Sequence, residues 1–159
     1  MVKNVQFSPK VEKGVVNMAL FGEYRHSLDT KKRIFIPAKL RDGLSETLYI
    51  TRGIDNCLLI FSEAEWNRIT EKLLSITDEL AGITKLYLFS KTIDVTPDSQ
   101  GRVTLTPDLI AHAGLEKNAV IVGVGNQVQI WSETAWAEKE RQASENLELR
   151  QLLRREFGL

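Results

Sequence analysis

Hydrophobic and polar positions follow the same order twice along this chain. Short apolar runs with β-branched residues are flanked by Asp, Gly and Pro, a pattern typical of strands between turns. The predicted strands are 33–36, 47–51 and 57–61 in the first copy, and 102–105, 119–122 and 128–131 in the second. A short helical turn, 38–41 or 108–113, follows the first strand of each copy and is ended by Gly43 or Gly114.

The two copies also match residue by residue. Three blocks recur in the same order at offsets of 69, 71 and 70 residues: 29–37 with 98–106, 43–44 with 114–115, and 60–66 with 130–136. A repeat at a fixed spacing indicates one structural unit used twice. We therefore predict two similar units, 22–65 and 92–135, joined by linker helices over 66–91.

A helix is predicted after each copy. Ser62 and Glu65 have the spacing of a capping box, and apolar residues then recur every three or four positions as far as Leu80. This pattern predicts a single helix that ends near Gly82. A matching start and a second apolar pattern predict C-terminal helices over 136–159. Both apolar stripes fit either the core or a contact between subunits.

The composition is that of an ordinary globular protein, since 43% of the 159 residues are hydrophobic and 26% are charged. The one cysteine, Cys57, lies in a predicted apolar strand, which favours a buried thiol and a reducing, cytoplasmic environment. The apolar runs are far shorter than a membrane-spanning helix needs, so no membrane partner is expected. Residues 1–18 have no counterpart in the second copy and are predicted to be a disordered extension.

No catalytic constellation is visible in the sequence. The motifs G-x-S-x-G and H-E-x-x-H and the P-loop are absent, and the two histidines, His26 and His112, lie outside the matched blocks. One cysteine and two histidines also argue against a zinc site. We therefore predict a protein that is not an enzyme and that uses no cofactor, metal or small-molecule substrate.

The charges balance overall but not locally. The chain has 21 basic and 21 acidic residues, so its formal charge is zero. Between Arg25 and Arg41, however, six residues are basic and one is acidic. This basic segment fits either an electrostatic contact with nucleic acid or a strand edge protected by lysines.

Both copies contain the pattern Asp-x-x-x-Arg, at Asp29–Arg33 and at Asp98–Arg102. An acid and an arginine on either side of a tight turn can pair, and the pair then holds the arginine ready to bind phosphate oxygens or guanine. The alternative is a simple hairpin salt bridge of little energetic consequence. Only the first copy has further basic residues around the pattern, so we expect Arg102 to matter less than Arg33 for binding.

The sequence resembles a known family at these motifs. Residues 21–29, then Arg33 and the run 36–41, are similar to the opening of MraZ proteins, and 98–102 through 112–115 are similar to their second half. The resemblance implies an α+β, mainly β fold with two SpoVT-AbrB-type units. These would form one pseudo-twofold duplicated β-barrel of the AbrB or double-psi type, flanked by helices.

The same resemblance implies a sequence-specific DNA-binding transcriptional regulator of the division and cell-wall gene cluster. It would act as a ring-like homo-oligomer on repeated upstream DNA, in the cytoplasm and associated with the nucleoid. The expected DNA contacts are Arg33, Lys31, Lys32, Arg25 and Lys39. The residues expected to order the turns are Asp29, Asp98, Arg102 and Gly101.

One position departs from the family pattern. MraZ proteins usually have glycine just before the first motif's arginine, and this chain has Lys32 there, whereas Gly101 keeps the glycine in the second copy. Two other functions stay open at this point. One is an AbrB-like antitoxin-type module that binds a partner protein. The other, less favoured, is a small double-barrel enzyme.

Overall fold

A computed structural model describes residues 19–159, and the extension predicted over 1–18 lies outside the described residues. The strands are β1 Leu20–Ser27, β2 Arg33–Phe35, β3 Leu48–Arg52, β4 Cys57–Phe61, β5 Ile93–Val95, β6 Arg102–Thr104, β7 Asn118–Gly125 and β8 Val128–Ser132. The helices are α1 Ala38–Arg41, α2 Glu63–Ser75, α3 Glu79–Lys91, α4 Pro107–Ala113, α5 Glu133–Ser144 and α6 Leu147–Phe157. The protein is α+β, but the expectation of a mainly β chain is wrong, because the helices contain more residues than the strands.

All strand pairs are antiparallel. Six strands form a sheet in the order β1-β7-β8-β4-β3-β5, and β2 pairs with β6 in a separate two-stranded ribbon. Exchanging β1–β4 for β5–β8 leaves every one of these pairings unchanged. The larger sheet ends at β1 and β5, so hydrogen bonding does not close it within the part of the chain that the structure describes. The duplicated barrel therefore stays a prediction.

The hydrophobic core lies between the ribbon and the larger sheet. From the ribbon, Ile34 and Val103 point inward and are almost completely buried. They pack in one cluster with sheet residues from both copies, including Ile50, Ile60 and Ile121. A unit of about 45 residues is near the lower size limit for a fold with its own core. Sharing one core between the two copies removes that limit.

Helices cover the opposite side of the sheet and its flank. Under α5, the rings of Trp131 and Trp136 pack 5.9 Å apart beside buried Cys57, whose thiol pKa is raised to about 11 by burial. On α2, Trp66 stacks on Tyr49 of β3 at 5.8 Å between ring centroids. These contacts explain why the two matched tryptophans occur just after the third predicted strand of each copy.

The helix predicted to run from Ser62 to Gly82 is interrupted. Ile76 has an extended backbone and ends α2, and the Asp78 side chain accepts a hydrogen bond from the Ala81 N–H at 3.0 Å to begin α3. The apolar spacing continues across this break, so periodicity alone predicts one helix where the local caps make two. Gly82 lies inside α3 rather than at its end.

The side chain of Arg52 attaches α3 to β3. Its Nη2 donates to the Tyr87 carbonyl at 2.7 Å, and its guanidinium lies 3.9 Å from the centre of the Tyr87 ring. Thr51 donates to the Leu88 carbonyl at 3.2 Å.

Between residues 19 and 159, no helix is both long and apolar enough to cross a membrane.

Candidate nucleic-acid interface

The first Asp-x-x-x-Arg pattern forms a tight turn that leads into β2. The Lys32 N–H donates to the Asp29 carbonyl at 3.0 Å, which closes the turn. The Asp29 carboxylate accepts hydrogen bonds from the N–H of Lys31 at 2.9 Å and of Arg33 at 2.8 Å. Its second oxygen accepts from Arg33 Nε at 2.7 Å. The aspartate thus organises the turn and positions the arginine at the same time.

The second pattern has the same geometry. The Gly101 N–H donates to the Asp98 carbonyl at 2.9 Å, and the Asp98 carboxylate accepts from the N–H groups of Gln100 and Arg102, both at 2.9 Å. Arg102 Nε donates to its second oxygen at 2.9 Å. In both turns the arginine uses Nε for this bond, and its Nη groups donate to no other described residue.

The two arginines lie on one face of the β2–β6 ribbon. Arg33 is directly opposite Thr104, and Phe35 is directly opposite Arg102, while Ile34 and Val103 between them face the core. Opposite residues in an antiparallel pair share a face, and diagonal neighbours lie about 7–8 Å apart. We call this outward surface, formed by Arg33, Phe35, Arg102 and Thr104, the ribbon face.

Each turn is fastened to the strand of the other copy. The Lys32 carbonyl accepts a hydrogen bond from the Leu105 N–H, and the Gly101 carbonyl accepts one from the Ile36 N–H, both at 2.9 Å. A two-stranded β-ribbon fits the major groove of DNA, and arginine pairs there with guanine or with phosphate. The ribbon face therefore presents two pre-positioned guanidinium groups on an element of suitable size.

Comparison with known proteins assigns the chain to a family. The family described as "MraZ protein, putative antitoxin-like" matches residues 19–82 and 88–155. This protein belongs to the MraZ family. The resemblance expected from the sequence motifs is thereby confirmed.

Several similar proteins bear the name "Transcriptional regulator MraZ". One from Alkaliphilus oremlandii is 45% identical over 117 residues, which cover 72% of this chain and 82% of that protein. One from Natranaerobius thermophilus is 40% identical over 129 residues, covering 80% and 90%. One from Symbiobacterium thermophilum is 41% identical over 126 residues, covering 78% and 91%.

In this MraZ-family chain, Lys31 and Lys32 flank the ribbon face. Both side chains are exposed, and neither makes an ion pair within residues 19–159. Lys32 has a backbone φ of 64° and is the one non-glycine residue with positive φ in the described part of the chain. The matching Gly101 has φ of 82°. The first turn therefore keeps the shape of the second, although it has a lysine where the second has Gly101.

Two of the expected DNA contacts lie elsewhere. Arg25 projects from the face of β1 opposite to that of His26, toward α5. It pairs with Glu23 of the same strand at 2.9 Å and with Glu133 of α5 at 3.6 Å. Lys39 lies in α1 with its ammonium 5.6 Å from the centre of the Phe21 ring. Phe21 is near the start of β1, about 17 Å of strand away from His26, whose ring contacts Phe35 of the ribbon face. The structure does not bring Arg25 or Lys39 to the ribbon face.

Two neighbours of the ribbon face were missed from the sequence. The ring of His26 meets Phe35 edge to face, with 4.8 Å between ring centroids. The guanidinium of Arg41, at the end of α1, lies 5.7 Å from the centre of the Phe35 ring. Arg41 belongs to the basic segment of the sequence, but only the packing of α1 against the ribbon shows where its charge lies.

The turn aspartates are held in the ionised form. The pKa of Asp29 is lowered, first by the hydrogen bond from the Arg33 backbone N–H and then by the Arg33 side chain, against the opposing effect of burial. The pKa of Asp98 is lowered in the same way by Arg102.

Over residues 19–159, no group of three or more His, Cys, Asp and Glu residues is placed so that it could hold a metal ion.

Proposed function

We propose that this protein is a transcriptional regulator that binds double-stranded DNA through the ribbon face. The observation that carries the proposal is the pair of aspartate-held, half-buried arginines on the outward face of a two-stranded ribbon. The names of the relatives support the class of function. This function makes the protein a binding protein and not an enzyme.

On this proposal the ribbon enters the major groove. Arg33 and Arg102 have been oriented before contact, so each loses less conformational entropy on binding than a free side chain would. Their Nη groups are available for guanine O6 and N7 or for phosphate oxygens. Lys31 and Lys32 contact the adjacent phosphates, which position the protein but read no sequence. Asp29, Asp98 and Gly101 keep the turns in shape.

The resemblance to MraZ proteins supports finer proposals. The target is the division and cell-wall gene cluster, bound at repeated sites upstream, and the protein resides in the cytoplasm at the nucleoid. The two copies form one pseudo-twofold barrel. The pairings that survive the exchange of β1–β4 with β5–β8, and the shared core, support that arrangement.

We also propose that the protein acts as a homo-oligomer. On the outer side of α3, Leu80, Ile83 and Leu86 are 68%, 66% and 71% exposed. They are three residues apart and so lie on one face of the helix. Helices with apolar residues on every side are normally buried, so this exposed face of α3 favours a contact with another subunit. With zero net charge, several ribbon faces on one assembly would also give the affinity that one chain lacks.

Arginine substitutions on the ribbon face test the proposal. Removing a base contact costs about 1–3 kcal/mol of binding free energy. We therefore expect Arg33→Ala to abolish the gel shift of DNA from upstream of the protein's own gene. Arg102→Ala should weaken it less, because no lysine accompanies that turn. Fluorescence anisotropy with the same duplex gives the two affinities.

The matched control is Arg68→Ala, which removes an exposed arginine from α2 that pairs with Glu65. It should bind DNA as wild type does. Circular dichroism and particle size confirm that each variant is folded. Wild-type affinity in the folded Arg33→Ala protein would contradict the proposed interface.

A second candidate function is the antitoxin-type module that binds a partner protein. The exposed apolar faces of α3 and α6 favour it, as does the description of the family. Salt separates the two candidates. Binding through phosphates weakens steeply as ionic strength rises, whereas binding through an apolar helix face changes little.

A further inference from the structure

The end of α1 places a third guanidinium beside the ribbon face. Arg41 Nε donates to the Ile36 carbonyl at 2.7 Å, and the guanidinium packs over Phe35, the residue directly opposite Arg102. The Nη groups of Arg41 donate to no residue within 19–159. Arg41 is thus fixed by Nε with its Nη groups available, as Arg33 and Arg102 are.

Arg41 lies against the second turn. A Cβ atom built on Gly101 would be 2.8 Å from Arg41 Cζ and Nε, and 2.9 Å from one Nη atom. No real Cβ approaches other atoms so closely. The guanidinium therefore occupies the space that a side chain at position 101 would need, and the absence of a side chain there is what admits it.

The first turn is built in the opposite way. The offset of 69 residues that aligns the two turns also aligns Leu40 with Leu109, and so places Ile110 where Arg41 stands in the first copy. At the first turn the charge is on Lys32, in the turn itself, and the corresponding helix residue, Ile110 of α4, is apolar. Lysine is strained in the left-handed backbone region that it adopts. Strain of this kind is concentrated at functional sites.

We propose that Arg41 is a further DNA contact, and that it supplies to phosphates at the second turn the positive charge that Lys32 supplies at the first. The proposal rests on the proposed function. Each turn then has an arginine held by an aspartate and additional positive charge, from Lys31 and Lys32 of the turn itself in the first copy and from Arg41 of α1 in the second. The carboxylate of Asp98, beside this turn, is already occupied by Gln100 and Arg102.

Salt-dependent DNA binding tests the proposal with the full-length protein. Anisotropy is measured with duplex DNA from upstream of the protein's own gene, over a series of salt concentrations. We expect Arg41→Gln to lower affinity roughly tenfold. It should also reduce the slope of log affinity against log salt by about 0.9 for each phosphate that the variant no longer neutralises. Lys32→Gly should have the same two effects.

Two further variants separate charge from structure. Arg41→Lys keeps a cation but lacks the planar group that packs on Phe35, and it should retain the wild-type salt slope. Lys72→Gln removes a lysine from α2, which packs on β3 and β4, and it should match wild type in both measurements.

The outcomes are distinct. An unchanged salt slope in folded Arg41→Gln protein, with a reduced slope in Lys32→Gly, would overturn the role of Arg41 and leave DNA binding intact. Equal loss of affinity in Arg41→Gln and Arg41→Lys at unchanged slope would assign Arg41 a structural role only, which also overturns it. A wild-type protein that binds no DNA would instead overturn the proposed function itself.

Discussion

At the scale of single residues, the aspartate of each turn makes more hydrogen bonds than any other side chain near the ribbon face. Asp29 accepts from two backbone N–H groups and from Arg33 Nε, and Asp98 does the same in the second copy. All three donors favour the ionised carboxylate, which is why both pKa values are lowered. The aspartates thus link the shape of the turns to pH.

The lowered pKa values predict how stability responds to acid. A carboxyl whose pKa is lower in the folded state stabilises the fold when ionised. The contribution is complete above the ordinary pKa of 3.8 and is lost as the pH falls through the lowered value. The melting temperature of the double variant Asp29→Asn, Asp98→Asn should therefore fall less steeply than that of wild type as the pH is lowered from about 4 to about 2.

Thermal unfolding followed by circular dichroism at a series of pH values provides the measurement. Glu138→Gln is the control, because the pKa of Glu138 is also lowered, by Arg141, but on α5. This variant leaves both turns intact. Its melting temperature should therefore still show the loss in acid that Asp29 and Asp98 contribute. Equal slopes in wild type and in the double variant would contradict the assignment.

At the scale of elements, the ribbon and α1 depend on each other through Gly101. This glycine has φ of 82°, and a Cβ added to it would lie 2.8 Å from Cζ of the Arg41 guanidinium. Gly114, at the end of α4, also has positive φ, 61°, but a Cβ added there would meet no atom within 4 Å. The two glycines therefore share the conformational requirement and differ in the close contact.

Alanine substitutions should separate these two effects. We expect Gly114→Ala to lower the free energy of unfolding by about 1–2 kcal/mol, the cost of a left-handed non-glycine residue. Gly101→Ala should cost more, because Arg41 must also move. Urea unfolding measures both. In an Arg41→Ala background the difference between the two glycine variants should shrink, and a difference of the same size there would show that Arg41 is not its cause.

At the scale of the whole molecule, one chain leaves apolar surface uncovered. The outer face of α3 exposes three large aliphatic side chains, and Leu147 and Phe157 of α6 are 68% and 65% exposed. Surfaces of this kind usually mark an interface with another protein. A head-to-tail contact that repeats around a closed rotation gives a ring. The ring expected from the family resemblance is one such assembly.

Light scattering tests the assembly. Wild-type protein at about micromolar concentration should be larger than a monomer, and Leu86→Glu should shift it to smaller species because a buried charge at an interface is costly. DNA affinity should fall in the same variant, since fewer ribbon faces act together. Asn67→Glu, on the exposed surface of α2, is the matched control. A monomeric wild type would contradict the proposed oligomer.

The local parts of this protein could be predicted from the sequence alone. The Asp29 and Asp98 turns and the strands that follow them depend on neighbours a few residues away, so their patterns are readable in one dimension. The repeat, too, is visible as matched letters. The strands β1 and β5 and the break between α2 and α3 were not predicted. The strands are irregular in pattern and gain their order from pairing with β7 and β3. The apolar spacing continues across the break and so hides the cap at Asp78 that begins α3.

The composition of the ribbon face was decided by tertiary structure. Arg33 and Arg102 are 69 residues apart and become diagonal neighbours only because β2 pairs with β6. Arg41 joins them because α1 packs there. Arg25 leaves the set because strand residues alternate between faces, and its face points toward Glu133. A sequence records which residues carry charge, but pairing and packing over long separations determine which of those charges meet.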